Sequence, residues 1–125
     1  MDRTTALQYV EEWVDAWNSH DLDRILGHVA DHAHFSSPMA ASILPDSGGH
    51  IDGKDALRQY WAEGLRRLPD LHFEVDGVYL GVDTVVVNYR NQDAELVCEV
   101  ITFDGDLVVD GHGTYLVADP TVAGV

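Results

Sequence analysis

The hydrophobic period of this chain changes once, near residue 70, and that change limits the fold more than any other feature. Before it, apolar residues recur every three or four positions; after it come four strand-like runs, 71–80, 84–90, 95–103 and 107–117. Turn signals at Gly81, around Gln92 and Asp93, and at Asp104, Gly105 and Asp106 separate the runs. Parallel pairing needs a crossover of about a dozen residues or more, and these connections are far shorter, so the runs form an antiparallel meander. Helices first and strands last define an α+β domain.

In the first half, Ala6, Val10, Trp13, Val14 and Trp17 make one apolar helical stripe, with Thr5 and Gln8 spaced as a capping box. Asn18, Ser19 and His20 interrupt it. A short second helix follows Asp21 as N-cap, with Leu22, Ile25, Leu26 and Val29 on one face. A short strand is expected from His34 to Ser37, stopped by Pro38. Residues 39–51, with Pro45, Gly48 and Gly49, read as a long connection, either a lid or a mobile loop. A third helix starts near Asp52 and Gly53. It carries Leu57, Tyr60, Trp61, Gly64, Leu65 and Leu68 on one face, places Arg66 and Arg67 in its last turn, and ends at Pro69. No repeat or second domain is evident, so residues 1–125 read as one domain, with a frayed tail after Asp119.

Charge narrows the partners. Twenty-two acidic residues face 7 basic ones, a formal net charge of -15. Such a surface repels nucleic acid and anionic membrane, so neither is an expected partner. Lys54 is the only lysine. Adaptation to high salt and an ordinary solubilising surface both account for this bias, and the second is the simpler. Cys98 stands alone, which excludes an intrachain disulfide and a four-cysteine zinc site. Without a basic segment leading an apolar core near Met1, a cytoplasmic location is the expectation.

The order of elements and several local residues resemble the nuclear transport factor 2-like superfamily in its SnoaL-like, ketosteroid-isomerase-like branch. Trp13, Trp17, Asn18 and Asp21 fit the end of that family's first helix, and Ala33 to Pro38 its first strand. Gly53, Ala56 and Leu57 fit the start of its third helix, and Pro69 the end. The match runs from about Arg3 to Leu116. It implies a cone-shaped roll: a curved, mostly antiparallel sheet wrapped by about three N-terminal helices around a small-molecule pocket. Fold does not settle function, because this one hosts isomerases, dehydratases, cyclases, epoxide hydrolases and non-enzymatic binders. Ser37, Trp13 and Ile101 stand where the ketosteroid isomerase has its base and its two oxyanion donors, so that chemistry is not expected. The epoxide hydrolase Asp–Arg–Asp cluster has no convincing counterpart.

The resemblance places Ile101 inward, and alternation along strands then selects the pocket face. Val97, Glu99 and Phe103 join Ile101. Val86, Asn88 and Arg90 are expected inward on the preceding strand, and Val108, Asp110, His112 and Thr114 on the last. Trp13, Trp17, Phe35, Ser37, Met39 and Trp61 would complete the wall. His112 is the expected general acid/base, Asp110 or Glu99 its partner, and Asn88 or Arg90 the anchor for a substrate oxygen. The opposite reading of the alternation buries Val85, Val87, Tyr89, Leu96, Cys98, Val100, Val109 and Tyr115 instead. The resemblance resolves the conflict by covering both faces, so a homodimer through the outer sheet face is expected.

His28 and His32, with Asp31, mimic an inverted zinc-protease motif, but no companion ligand or helical frame accompanies them, so no metal is expected. His34 and His72 read as strand residues rather than ligands. Two functions stay open. One is binding of a small apolar or carbonyl-containing molecule with cofactor-independent acid–base catalysis of the isomerase, dehydratase or cyclase type. The other is a non-catalytic ligand-binding or dimeric scaffold protein. Neither requires a cofactor.

Overall fold

A computed structural model describes residues 1–117, and the expected frayed tail after Asp119 lies outside them. Helix α1 (Arg3–Asn18) is capped by Asp2, whose carboxylate accepts from the Thr5 N–H at 2.8 Å. The capping-box expectation on Thr5 and Gln8 is therefore corrected: Thr5 already lies inside the first turn. The helix buries Ala6, Val10 and Ala16. It stops where His20 adopts a left-handed conformation (φ 54°), and Asp21 then caps the short α2 (Leu22–Ile25) through the Arg24 N–H.

Strand β1 (Val29–Ser36) begins five residues earlier than expected. Val29 belongs to the strand, not to the helix before it. Its backbone is recruited by a parallel pairing with β6 (Leu107–Tyr115), opened by the Val108 N–H donating to the His28 carbonyl at 2.7 Å. Residues 39–51 are not an unstructured lid. Ser37 caps a helix α3 (Pro38–Ile43) by accepting from the Met39 N–H at 3.0 Å, and Pro38 fits the first helical position because it has no N–H to leave unpaired. A 3-10 turn (Pro45–Ser47) and strand β2 (His50–Asp52) follow, and β2 pairs antiparallel with β1. Helix α4 (Lys54–Arg67) buries Leu57 and Tyr60 as its stripe predicts.

Strands β3 (Glu74–Leu80), β4 (Thr84–Arg90), β5 (Leu96–Asp104) and β6 form the expected meander. Among the described residues, the six-stranded sheet runs β2-β1-β6-β5-β4-β3, parallel only between β1 and β6. Its inner face packs against α1 in an apolar core that includes Val85, Val87, Val97, Ile101 and Phe103, and α4 packs in a second core where Leu57 and Tyr60 meet Val29, Ala33 and Ile51.

Two parts of the expected parity are wrong. On β4, Val85 pairs with Ile101 and Tyr89 with Val97, so Val85, Val87 and Tyr89 turn inward. Val86, Asn88 and Arg90 turn out. On β6 the register slips: Phe103 faces Val108 but Thr102 faces Asp110. This irregularity reverses the alternation after Val108. Gly111, Gly113 and Tyr115 therefore share the face of Ile101, Glu99 and Val97, while Asp110, His112 and Thr114 point away. Much of the apolar surface that motivated the dimer expectation, including Val85, Val87, Tyr89 and Tyr115, is thus directed to the helix-covered side.

The end of α1 also holds the approach to β3, which is why that strand starts at Glu74 and not at Leu71. The Asn18 side chain donates to the Phe73 carbonyl at 3.0 Å and accepts from the Phe73 N–H at 2.7 Å, standing in for a neighbouring strand. His20 Nε2 hydrogen-bonds the Leu71 carbonyl at 2.9 Å. Asn18→Ala orphans both backbone groups of Phe73 and is expected to cost about 1–3 kcal/mol in urea denaturation. Ser19→Ala, at an exposed position, should fall within about 0.5 kcal/mol of the parent.

Candidate functional site

A cavity of about 120 Å³ lies between the inner sheet face and the helices. α1 contributes Trp13 and Trp17, α4 contributes Tyr60 and Trp61, and α3 with its cap contributes Ser37 and Met39. The wall is a lattice of rings. Trp17 meets Trp61 edge to face at 5.5 Å, Phe35 meets Trp61 at 5.6 Å, and Trp13 stacks on Phe73 at 5.6 Å. Such pairs add stability beyond the area they bury and hold the wall in shape.

Two glycines make the room. At Gly111 a Cβ would stand 3.2 Å from Cδ2 of Phe35, and at Gly113 it would stand 3.4 Å from both Glu99 Oε1 and Ser37 Oγ. A Cβ at Gly111 would crowd the Phe35 ring, whereas one at Gly113 would sit in ordinary contact with the carboxyl. Glycine inside a strand commonly marks such a close approach.

Glu99 is the one carboxylate among the described residues that line the cavity. The Tyr89 hydroxyl donates to its Oε1 at 2.9 Å. Burial pushes the Glu99 carboxyl up to about 7, only partly offset by the Tyr89 hydrogen bond and by His112. Desolvation works in the same direction on the surrounding phenols. Tyr9 and Tyr89 are pushed well above the usual range by burial and then by the charge of Glu99. Tyr60 rises to about 12, chiefly from burial. The phenols therefore stay protonated at neutral pH, whereas Glu99 is poised between its two forms.

Of the residues expected at the site, Trp13, Trp17, Phe35, Ser37, Met39, Trp61, Glu99 and Ile101 line the cavity. Phe103 faces inward but sits in the core against Tyr9, at a ring distance of 4.8 Å. Asn88, Arg90, Asp110 and His112 do not line it. Arg90 lies 3.3 Å from Asp76 at the sheet surface, where it anchors nothing in the cavity. Asp110 and His112 instead join His34, Ser36 and His50 on the outer face. His34 Nδ1 and His112 Nε2 each lie 2.8 Å from an Asp110 oxygen. Burial pulls Asp110 upward, but the hydrogen bonds from His34 and His112 outweigh it and hold the carboxyl below its ordinary range.

Tyr60, Phe73, Tyr89, Gln92 and Tyr115 also line the cavity and were not expected there. Gln92 reads as a turn residue in sequence. Its Oε1 is buried and has no hydrogen-bond partner among the described residues, an acceptor that a bound hydroxyl or water would satisfy. The interior glycines of β6 were the one sequence signal that could have marked the pocket face.

A profile of the SnoaL-like domain matches residues 10–123, and the chain belongs to that family. It is similar to a SnoaL-like protein from Burkholderia thailandensis E264, with 43% identity, a TM-score of 0.87, and coverage of 92% of this chain and 97% of that one. A nuclear transport factor 2-like protein from Cytophaga hutchinsonii ATCC 33406 shares the fold at 15% identity, TM-score 0.67, with 97% and 95% covered. So does TerC, co-crystallised with polyporic acid, at 12% identity, TM-score 0.72, with 90% and 92% covered. No curated protein sequence matches the chain. None of the described helices is long and apolar enough to cross a membrane.

Because Glu99 binds its proton more tightly folded than unfolded, the folded state gains from it fully below about pH 4.5 and loses that gain as pH rises through about 7. A displacement of this size corresponds to on the order of 3 kcal/mol. In urea denaturation from pH 5 to 8, the parent should lose stability relative to Glu99→Gln, which keeps the shape without the charge. A constant difference between the two across that range would show that Glu99 is not desolvated.

Proposed function

We propose that this chain binds a small, ring-bearing hydrophobic molecule in the aromatic cavity, with Glu99 as the group that exchanges a proton with a ligand carbonyl or hydroxyl. The observation that carries the reading is a single carboxyl, raised to about 7, at the wall of an otherwise aromatic hollow. An engineered apolar cavity of about 150 Å³ holds benzene, so a hollow of about 120 Å³ suits one ring, with any larger part of the ligand in the opening.

A carboxyl that titrates near neutrality serves as general acid and general base with little driving force lost either way. Protonated, Glu99 can donate to a carbonyl oxygen while Tyr89 continues to donate to Oε1. Ionised, it can take a proton from the carbon next to that carbonyl. Isomerisation, dehydration and cyclisation of a carbonyl compound all use this exchange. His112 and Asp110 have no part in it, because they lie on the other side of the sheet.

The second reading, a binder without turnover, is favoured by one observation. Among the described residues, Glu99 has no imidazole or second carboxylate beside it in the cavity. The co-crystal of TerC with polyporic acid lends support to small-molecule binding in this fold, which both readings share.

All 3 tryptophans line the cavity, so an occupant must alter intrinsic fluorescence. Titration with phenol, cyclohexenone and 2-naphthol should give a saturable change with at least one of them. Gly64 lines the cavity from α4, and a Cβ there meets nothing within 4 Å. Gly64→Leu should therefore fill the hollow and abolish the change, while keeping or raising thermal stability through a helix-propensity gain of about 1 kcal/mol. Unchanged titration in Gly64→Leu would refute binding at this cavity. Turnover of a bound ketone, lost in Glu99→Gln with binding retained, separates enzyme from binder.

A further inference from the structure

The polar cluster on the outer sheet face has no part in the cavity, and its geometry suits a different ligand. The parallel ladder between β1 and β6 sets His34 beside Asp110 and Ser36 beside His112, so the strands themselves bring the groups together. One donor atom each from His34, Asp110 and His112 lies within 4.8 Å of the other two. We propose that these three residues form a binding site for a divalent first-row transition-metal ion, with Zn²⁺ as the simplest occupant.

Spacing is the first argument. Each imidazole nitrogen now stands 2.8 Å from a carboxylate oxygen. Around a tetrahedral ion at about 2.0–2.1 Å, neighbouring ligand atoms stand about 3.3 Å apart. The two nitrogens bond different oxygens of Asp110, so a single ion would have to draw the three ligand atoms, now within 4.8 Å of one another, to that spacing.

The far nitrogens are the second argument. Histidines that bind metals almost always give their other N–H to a polar acceptor, which fixes the ring and its tautomer. Both rings have that partner in place: His34 Nε2 is 2.9 Å from His50 Nδ1, and His112 Nδ1 is 2.5 Å from Ser36 Oγ. In the ion-free protein, each ring can donate to Asp110 and accept at its far nitrogen. When the ion binds, each neutral ring shifts its proton to the far nitrogen. Ser36 Oγ then accepts instead of donating, and the His50 ring changes tautomer in step.

Chemistry and charge agree. Two imidazoles with a carboxylate favour zinc, iron, copper or nickel over magnesium and calcium, which prefer oxygen ligands alone. The ion pairs of Asp110 among the described residues are with these two histidines, so no lysine or arginine occupies the site. The three side chains are 31–39% exposed, which lets an ion enter and leaves water for its remaining positions. The strongly acidic chain raises the local concentration of cations.

The test uses untagged full-length protein stripped with chelator and titrated with Zn²⁺ by calorimetry, then with Co²⁺ by visible absorption. One ion per chain is expected, with a rise in melting temperature. Asp110→Asn, which preserves shape, should lose the ion while keeping its circular dichroism, and His34→Ala and His112→Ala should do the same. Ser36→Ala and His50→Ala should weaken binding by about 10–100-fold. His72→Ala, an exposed histidine outside the cluster, should change nothing. No uptake by the parent, uptake that survives both Asp110→Asn and His112→Ala, or an equal loss in His72→Ala would each overturn the proposal. Ligand binding in the cavity is read separately by fluorescence, so failure of one site leaves the other unaffected.

Discussion

Between Thr102 and Phe103 of β5, the partner strand β6 advances by an extra residue, so that Thr102 faces Asp110 while Phe103 faces Val108. Side chains alternate along a strand, so one inserted residue exchanges the faces of everything beyond it. The exchange turns Gly111 and Gly113 toward the helices and sends Asp110 and His112 to the other side. The cavity and the outer polar cluster both follow from it. With the alternation unbroken, the two bulky polar residues would press into the space now held by the Phe35 ring and the Glu99 carboxyl.

The cavity sets two demands against each other. Its rings stabilise the fold by keeping water out, and the same exclusion makes a charge on Glu99 costly. The fold meets both by offering the carboxyl a phenolic donor, Tyr89, with a smaller offset from His112 on the other face of the sheet. The result is a group that holds its proton up to about pH 7. A fully satisfied ion pair at that position would be quieter electrostatically and less useful for moving a proton.

Several elements were legible because their signals are local. Asp21 caps α2 as read, α4 ends where Pro69 requires, and Trp13, Trp17 and Trp61 line the cavity as the family resemblance implied. Other features were hidden because their cause lies elsewhere in the chain. Val29 becomes strand only when β6 pairs with it. Residues 39–51 look like a loop, yet α3 buries Ala40 and Ile43 there. Asn18 looks like a helix breaker, and its actual work is to pair with the backbone of Phe73. Gln92 sits in a turn, and only folding brings it to the cavity wall.

From its order of residues alone, the chain determined its class, its helical stripes and its meander, because each depends on periodicity and turn chemistry over a few neighbouring positions. Only the tertiary structure decided which carboxylate lines the cavity and which histidines meet. Those outcomes depend on strand register, a relation between segments as distant as His34 and Asp110, and a slip of one residue in it leaves local composition unchanged while moving every side chain beyond it to the opposite face.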